Sequence, residues 1–130
     1  MEPFPWKDSY LALGKALERL REVLENPYEE RGIIVDATLQ RFEFTFELFW
    51  KTLKHFLWLE GFETNTPRST LQKAYQAGWL GEEKIWLDML NDRNLTSHTY
   101  DEEKANEIFD RIKVYYQVMK EVYQLLSRRT

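Results

Sequence analysis

The sequence predicts an all-α protein, a single domain over residues 1–130 built as an up-and-down bundle of four to five helices. Glycine and proline together account for only 9 of the 130 residues, about 7% against an average of about 12%. Residues 33–60 and 82–130 contain neither, so the chain lacks the turn residues that the many short strands of a sandwich or barrel require. Hydrophobic residues make up 43%, which is enough for a packed core.

The first helix is predicted to begin at Asp8 or Ser9 and to end near Glu25, where the dipeptide Asn26-Pro27 stops it. Its apolar residues recur every three or four positions, which places them on one helix face. They are Tyr10, Leu13, Leu17, Leu20 and Leu24.

The second helix is long and is predicted from about Tyr28 to Glu60, with Gly61 as its C-terminal stop. Its apolar residues cover much of the circumference, so we expect it to lie at the centre of the bundle. They are Leu39, Phe42, Phe46, Phe49, Leu53, Phe56 and either Trp58 or Leu59.

Three further helices follow. The third starts at the cap signal Thr66-Pro67 and ends near Ala77, before a glycine-containing break at 78–81. The fourth is predicted from about Glu82 to Arg93, and the fifth from about Tyr100 to Leu126. The apolar stripe of the fifth is the most regular in the chain, and it fits either the core or a helix–helix dimer seam: Ala105, Ile108, Ile112, Tyr115, Met119, Val122 and Leu126.

Polar residues that could bind a ligand or take part in a reaction are concentrated between the fourth and fifth helices. Thr99 has Glu102 three residues later, which is a capping-box signature and makes Thr99 the expected N-cap. Helix N-termini favour anions such as phosphate, and an arginine such as Arg93 can bind two phosphate oxygens. His98 titrates near neutral pH and can move a proton. Arg93, His98 and the neighbouring Tyr100 therefore form the one compact candidate site in the sequence.

Two interpretations of this site stay open. In the first, His98 deprotonates an RNA 2′-hydroxyl while Arg93 stabilises charge on the phosphate, with no metal ion. A two-fold dimer would then supply both a base and an acid. In the second, Arg93 and His98 only cap helices or pair with Asp92 or Asp101. Glu47, if partly buried on the second helix, is a supporting residue that would orient Arg93 or His98.

Several stretches resemble the HEPN family. Residues 93–100, Arg93-Asn94-Leu95-Thr96-Ser97-His98-Thr99-Tyr100, match its Arg-x(4–6)-His-x-Tyr signature. The block Gln40–Lys54 is similar to the second helix of the branch known as nucleotidyltransferase substrate-binding proteins. Shorter matches occur at Pro67-Arg68, Ala74-Tyr75 and Trp86–Asn94. The resemblance covers about residues 8–126.

The resemblance implies a specific function. Members of this branch are helical bundles that form homodimers and pair with a minimal nucleotidyltransferase in toxin–antitoxin operons. The toxin is a metal-independent ribonuclease that uses the residues matched here by Arg93 and His98. In some pairs the nucleotidyltransferase silences it by transferring AMP to the tyrosine matched by Tyr100. Asn94 fits the polar position after the arginine. The alternative is a non-catalytic substrate- or nucleotide-binding subunit of a nucleotidyltransferase complex.

The charge of the chain limits the kinds of partner that the candidate site can bind. The formal net charge is −4, and residues 82–110 alone carry nine acids against three bases. RNA binding needs phosphate neutralisation, so the bases must come from Arg111, Lys113, Lys120, Arg128-Arg129, or the Arg41, Lys51 and Lys54 face of the second helix. Otherwise the acidic stretch recognises a basic partner protein.

Other site types are disfavoured. The chain contains no cysteine, which excludes disulfides, cysteine nucleophiles and thiolate metal sites. Its two histidines show no metal-binding spacing, so we expect no metal and no cofactor, and His55 is interpreted as a packing or surface residue. With no signal peptide and no apolar run near 20 residues, we expect a cytoplasmic location and no membrane partner.

Overall fold

The computed structural model describes residues 6–25, 31–96 and 101–128. These ranges hold five α-helices and no strand, which confirms the prediction of an all-α up-and-down bundle. The helices are α1 (Trp6–Leu24), α2 (Arg31–Leu59), α3 (Pro67–Gln76), α4 (Glu83–Leu95) and α5 (Glu102–Ser127). None of the helices in the described ranges is both long and apolar enough to cross a membrane.

Helix α2 is central, as its all-round apolar character predicted. It packs against each of the other four helices. Its aromatic residues Phe42, Phe46 and Phe49 are fully buried, and Phe49 lies 4.9 Å from the ring of Trp86 on α4. Because each of these rings removes a large apolar area from water, the core forms around this helix.

The apolar stripe of α5 belongs to the core of the single chain. All seven predicted residues, from Ala105 to Leu126, are buried without any second copy present. A stripe that is already covered has no area left to offer a partner helix. The dimer-seam alternative for this stripe is therefore wrong.

Several predicted helix ends are confirmed. Gly61 follows α2 with φ of +90°, a left-handed conformation that favours glycine, and Phe62 donates its backbone N–H to the Leu57 carbonyl oxygen at 2.9 Å. Thr66 caps α3 by accepting from the Ser69 backbone N–H at 3.1 Å, with Pro67 in the first turn.

The start of α5 differs from the prediction. Its N-cap is Asp101, whose carboxylate accepts the backbone N–H groups of Glu103 at 3.1 Å and Lys104 at 3.2 Å. A carboxylate is at least as good a cap as the hydroxyl of Thr99, and its charge also suits the helix N-terminus. Helix α4 in turn continues two residues beyond the predicted end, so Arg93 lies inside its last turn. Helix α1 begins at Trp6, slightly before the predicted start.

Helices α1 and α5 meet through two stacked rings. Tyr10 and Tyr123 lie parallel with their centroids 4.5 Å apart. Burial, with a hydrogen bond to Tyr10, raises the pKa of Tyr123 to about 12. The Tyr123 hydroxyl oxygen lies only 2.5 Å from where a Cβ on Gly14 would stand. Glycine at position 14 therefore leaves room for the Tyr123 hydroxyl in its stacked position, despite its cost in a helix interior.

We expect Gly14→Ala to lower the free energy of unfolding by about 1 kcal/mol, since overpacking outweighs the gain in helix propensity. In a Tyr123→Phe background, which removes the clashing oxygen, the same substitution should be neutral or stabilising. Urea unfolding of the four proteins followed by circular dichroism measures this coupling. Equal effects of Gly14→Ala in both backgrounds would contradict the steric explanation.

Candidate functional site

Arg93 lies in the last turn of α4 and reaches across to α2. One terminal nitrogen of its guanidinium forms an ion pair with the Glu47 carboxylate, and the other donates to the Asn94 side-chain oxygen at 3.0 Å. The Arg93 side chain is 26% exposed, so one face of it remains accessible to solvent. Three of the five predicted site residues are therefore in contact with one another.

The Glu47 carboxylate forms ion pairs with two basic side chains. Besides Arg93, the ammonium group of Lys51 lies 3.3 Å from its second carboxylate oxygen, one helical turn along α2. Partial burial raises the pKa of Glu47, but hydrogen bonds and the positive charges of Arg93 and Lys51 outweigh it, and the net pKa lies below its ordinary value of 4.5. Glu47 is thus held ionised beside Arg93.

A second contact between α2 and α4 runs parallel to the first. The Thr96 hydroxyl lies 3.0 Å from a carboxylate oxygen of Glu43, and also 2.6 Å from the Arg93 carbonyl oxygen. Glu43 and Glu47 are one turn apart on α2, while Arg93 lies in the last turn of α4 and Thr96 is the C-cap three residues later. Two adjacent turns therefore interlock and fix the end of α4 against α2.

A hydrogen-bond network around the buried Asp92 holds the same turn of α4 on its other side. Asp92 is 3% exposed and accepts two hydrogen bonds from the Arg111 guanidinium, at 2.7 and 2.8 Å, and one from the Tyr115 hydroxyl at 2.5 Å. The hydrogen bonds and charge of Asp92 raise the pKa of Arg111. Burial, together with Asp92, raises the pKa of Tyr115. Asp92 thus remains paired inside the protein, as a buried carboxylate must.

Consecutive residues of α4 therefore point to opposite neighbours, Asp92 to α5 and Arg93 to α2. The end of the helix is held from both sides. The segment that follows it contains the other two predicted site residues, His98 and Tyr100, which lie outside the described residues, as does Thr99. The described chain resumes at Asp101, the N-cap of α5.

Arg93 borders a surface hollow of about 330 Å³. Its other lining residues all belong to the outward face of α2: Gln40, Glu43, Phe44 and Glu47. Nowhere in the ranges 6–25, 31–96 and 101–128 do three or more His, Asp or Glu side chains cluster in a way that could hold a metal ion.

Sequence reasoning missed the partners of several charged residues. Arg111 was proposed as a source of positive charge for RNA, but its guanidinium binds Asp92. Asp92 in turn was proposed as a partner for Arg93 or His98, whereas it faces α5. The signal available was the spacing of Arg111 and Tyr115, which are one turn apart on one helix face. His55 is 1% exposed, which confirms its interpretation as a packing residue.

Comparison with known proteins identifies relatives over most of the chain. The family model described as "Nucleotidyltransferase substrate binding protein like" matches residues 8–128. A curated relative from Haemophilus influenzae, "Probable ribonuclease HepT", is 32% identical over an 84-residue match that covers 61% of this chain. The match spans 58% of the length of that relative.

Two solved structures share the fold. A crystal structure of a Thermus thermophilus protein is 38% identical, with a TM-score of 0.82 over 88% of this chain and 98% of that one. A Haemophilus influenzae protein, whose structure is described as the fold of a substrate binding domain of a nucleotidyltransferase, is 23% identical. Its TM-score is 0.70 over 94% of this chain and 96% of that one.

We expect Asp92→Ala to lower the free energy of unfolding by about 2–3 kcal/mol, because it leaves the Tyr115 hydroxyl and the Arg111 guanidinium without their acceptor. Asp88→Ala is the matched control, since Asp88 lies one turn earlier on α4 and forms only an exposed pair with Lys84. Urea unfolding of both variants measures the difference. Equal losses would show that the network does not stabilise the bundle.

We expect the stabilisation from Glu47 to depend on pH. Because its pKa is lowered in the folded protein, its contribution is present above the unfolded value near 4.5 and disappears as the pH falls through the folded pKa. The unfolding free energy of wild type minus that of Glu47→Gln should therefore be larger at pH 7 than at pH 3. Glu107→Gln, an exposed site on α5, is the control. A difference that is constant with pH would contradict the ion pair.

Proposed function

The chain belongs to the nucleotidyltransferase substrate-binding branch of the HEPN family, and we propose that it is a ribonuclease toxin paired with a separately encoded minimal nucleotidyltransferase. The observation that carries the proposal is Arg93, which Glu47 and Asn94 orient at a solvent-facing hollow, five residues before His98. The similarity of the chain to a protein named a probable ribonuclease also supports the proposal.

The proposed reaction uses the RNA's own 2′-hydroxyl as the nucleophile. His98 takes the hydroxyl proton while the oxygen attacks the adjacent phosphorus. Arg93 stabilises the negative charge that develops on the phosphate oxygens, through paired N–H donors. The bond from phosphorus to the 5′-oxygen breaks and that oxygen receives a proton, which leaves a 2′,3′-cyclic phosphate and a 5′-hydroxyl. No metal ion takes part.

The need for both a base and an acid favours a dimer. One His98 can remove the proton from the 2′-hydroxyl, and the departing 5′-oxygen then needs a donor. A second copy related by a two-fold axis would present its own His98 for that purpose. We therefore propose a homodimer with one composite site.

Asn94 and Glu47 are positioning residues in this scheme. Each binds one end of the Arg93 guanidinium, so together they fix the plane of the fork. Glu47 must also release or share Arg93 when a phosphate arrives, because the guanidinium cannot present all its donors to both anions.

Tyr100 is the proposed control point. The nucleotidyltransferase would transfer AMP from ATP to the Tyr100 hydroxyl, forming a phosphodiester and releasing pyrophosphate. Tyr100 is two residues after His98, so the added nucleotide would obstruct the site, and its negative charge would repel RNA phosphate.

The acidic surroundings favour one second candidate. Residues 82–110 carry six more acids than bases, and the charge of Arg93 is matched by Glu47. A non-catalytic subunit that presents Tyr100 or a bound nucleotide to the nucleotidyltransferase would tolerate this charge more easily than a nuclease would.

We expect the purified wild type to cleave single-stranded RNA in the presence of EDTA, and Arg93→Ala and His98→Ala to cleave it about 100-fold more slowly or worse. Lys84→Ala, an exposed change on α4, should cleave like wild type. Tyr100→Phe should remain active but escape inactivation by the nucleotidyltransferase and ATP. A wild type without cleavage would favour the non-catalytic candidate, whereas an active His98→Ala would refute His98 as the base.

The composite site makes a separate prediction for mixed dimers. When equal amounts of wild type and His98→Ala are unfolded together and refolded, only dimers with two intact histidines should cleave. Activity should then fall to about one quarter of an all-wild-type sample, because random pairing leaves that fraction intact. An activity of one half would mean that each subunit works alone.

A further inference from the structure

Two hollows adjoin on the outward face of α2. One is the hollow of about 330 Å³ beside Arg93. The other lies between α1 and α2, has a volume of about 440 Å³, and is lined in part by Ala16, Arg19, Ala37 and Arg41. Gln40 and Phe44 line both. We call the two hollows together the α2 groove, which passes from α1 to the end of α4.

Phe44 is the notable residue of this groove. It is 63% exposed, whereas Phe42 and Phe46 on the same helix are fully buried. The core therefore does not need its ring, and exposing so large an apolar side chain gains nothing for the fold. An exposed aromatic ring beside positive charge is the arrangement that proteins use to stack the bases of single-stranded nucleic acid.

The α1 end of the groove supplies the positive charge. Arg41 is anchored by one N–H that donates to the Arg19 carbonyl oxygen at 2.7 Å, and Glu22 lies 3.8 Å away. A guanidinium carries five N–H donors, so Arg41 retains donors for a phosphate. The side chain of Arg19 is exposed beside it. The small side chains of Ala16 and Ala37 open the space between the two helices.

We propose that the α2 groove binds single-stranded RNA, with one base stacked on Phe44, a neighbouring phosphate on Arg19 and Arg41, and the phosphodiester to be cleaved at Arg93. The proposal rests on the ribonuclease function above and extends it by naming the surface that holds the substrate. Gln40, between the two ends, can donate to or accept from a base edge through its amide.

Charge favours RNA over a second protein copy as the occupant. A helix packed along this face would have to cover Arg19, Arg41, Glu43 and Glu47, whereas the cores of protein interfaces are depleted in charged residues. An extended RNA strand instead uses the arginines directly and needs only the Phe44 ring for apolar contact. Its backbone also brings the flexibility that lets a base leave the strand and stack.

The test measures the affinity of the full chain for a fluorescein-labelled single-stranded 2′-O-methyl RNA of about eight nucleotides, a typical site size. Since it has no free 2′-hydroxyl, it cannot be cleaved. We expect Phe44→Ala to bind about 10-fold more weakly, the loss of one base–aromatic stack, and Phe44→Trp to bind like wild type. Phe62→Ala, at a ring that is 42% exposed and far along the chain, should be unchanged.

A salt titration tests the arginine end independently. Arg41→Gln should weaken binding and reduce the slope of log affinity against log salt by about 0.7, the value for one phosphate contact on a single strand. Sedimentation velocity of each variant reports its oligomeric state under the same conditions.

Two outcomes would overturn the proposal. One is wild-type affinity in Phe44→Ala. The other is a loss of affinity that accompanies dissociation of a dimer, which would make this face an interface between copies. The proposed groove and the proposed nuclease activity can be refuted separately. If the variants bind RNA as expected but the wild type does not cleave unmodified RNA, only the nuclease activity is refuted. Conversely, cleavage that depends on His98 with wild-type affinity in Phe44→Ala would refute only the groove.

Discussion

The ion pair between the buried carboxylate of Asp92 and the partly exposed guanidinium of Arg111 is the contact on which the geometry of the candidate site depends. A carboxylate that is 3% exposed needs protein donors in place of water, and here three hydrogen bonds from α5 satisfy it. Asp92 directly precedes Arg93, so fixing the first residue on α5 turns the second toward α2. Glu47 then receives it. The position of Arg93 thus follows from the pairing of the residue before it with α5.

Helix α2 combines two roles that its periodicity keeps apart. One set of positions, including Phe42, Phe46 and Phe49, forms the aromatic core. The positions between them that face outward include Glu43, Phe44 and Glu47. Because a helix rotates about 100° per residue, neighbouring phenylalanines can serve the core and the surface at the same time. The core thus provides a rigid support for the outward face on which both proposals rest.

The distribution of charge matters more than the net value of −4. Lys51 and Arg111 were both proposed as RNA contacts, yet each is bound to an acidic residue of the same chain. Arg41 also pairs with Glu22, at 3.8 Å, but it lies with Arg19 along a hollow that adjoins Arg93 through Phe44. The proposal of an RNA-binding groove therefore depends on the position of these arginines beside an exposed aromatic ring. It does not depend on the net charge of the chain.

The sequence by itself determined the helices, since few breakers and a three-to-four-residue apolar repeat leave one architecture open. All seven stripe residues of α5 are buried in the core, a choice over a dimer seam that the periodicity alone had left open. The N-cap at Asp101 was missed because Thr99 and Asp101 both have capping side chains and only the folded backbone selects between them. For the same reason, only the tertiary structure could show which charged side chains pair with each other. Glu47 and Arg93 are 46 positions apart, and Asp92 and Arg111 are 19 apart; only the packing of the helices decides which charges meet.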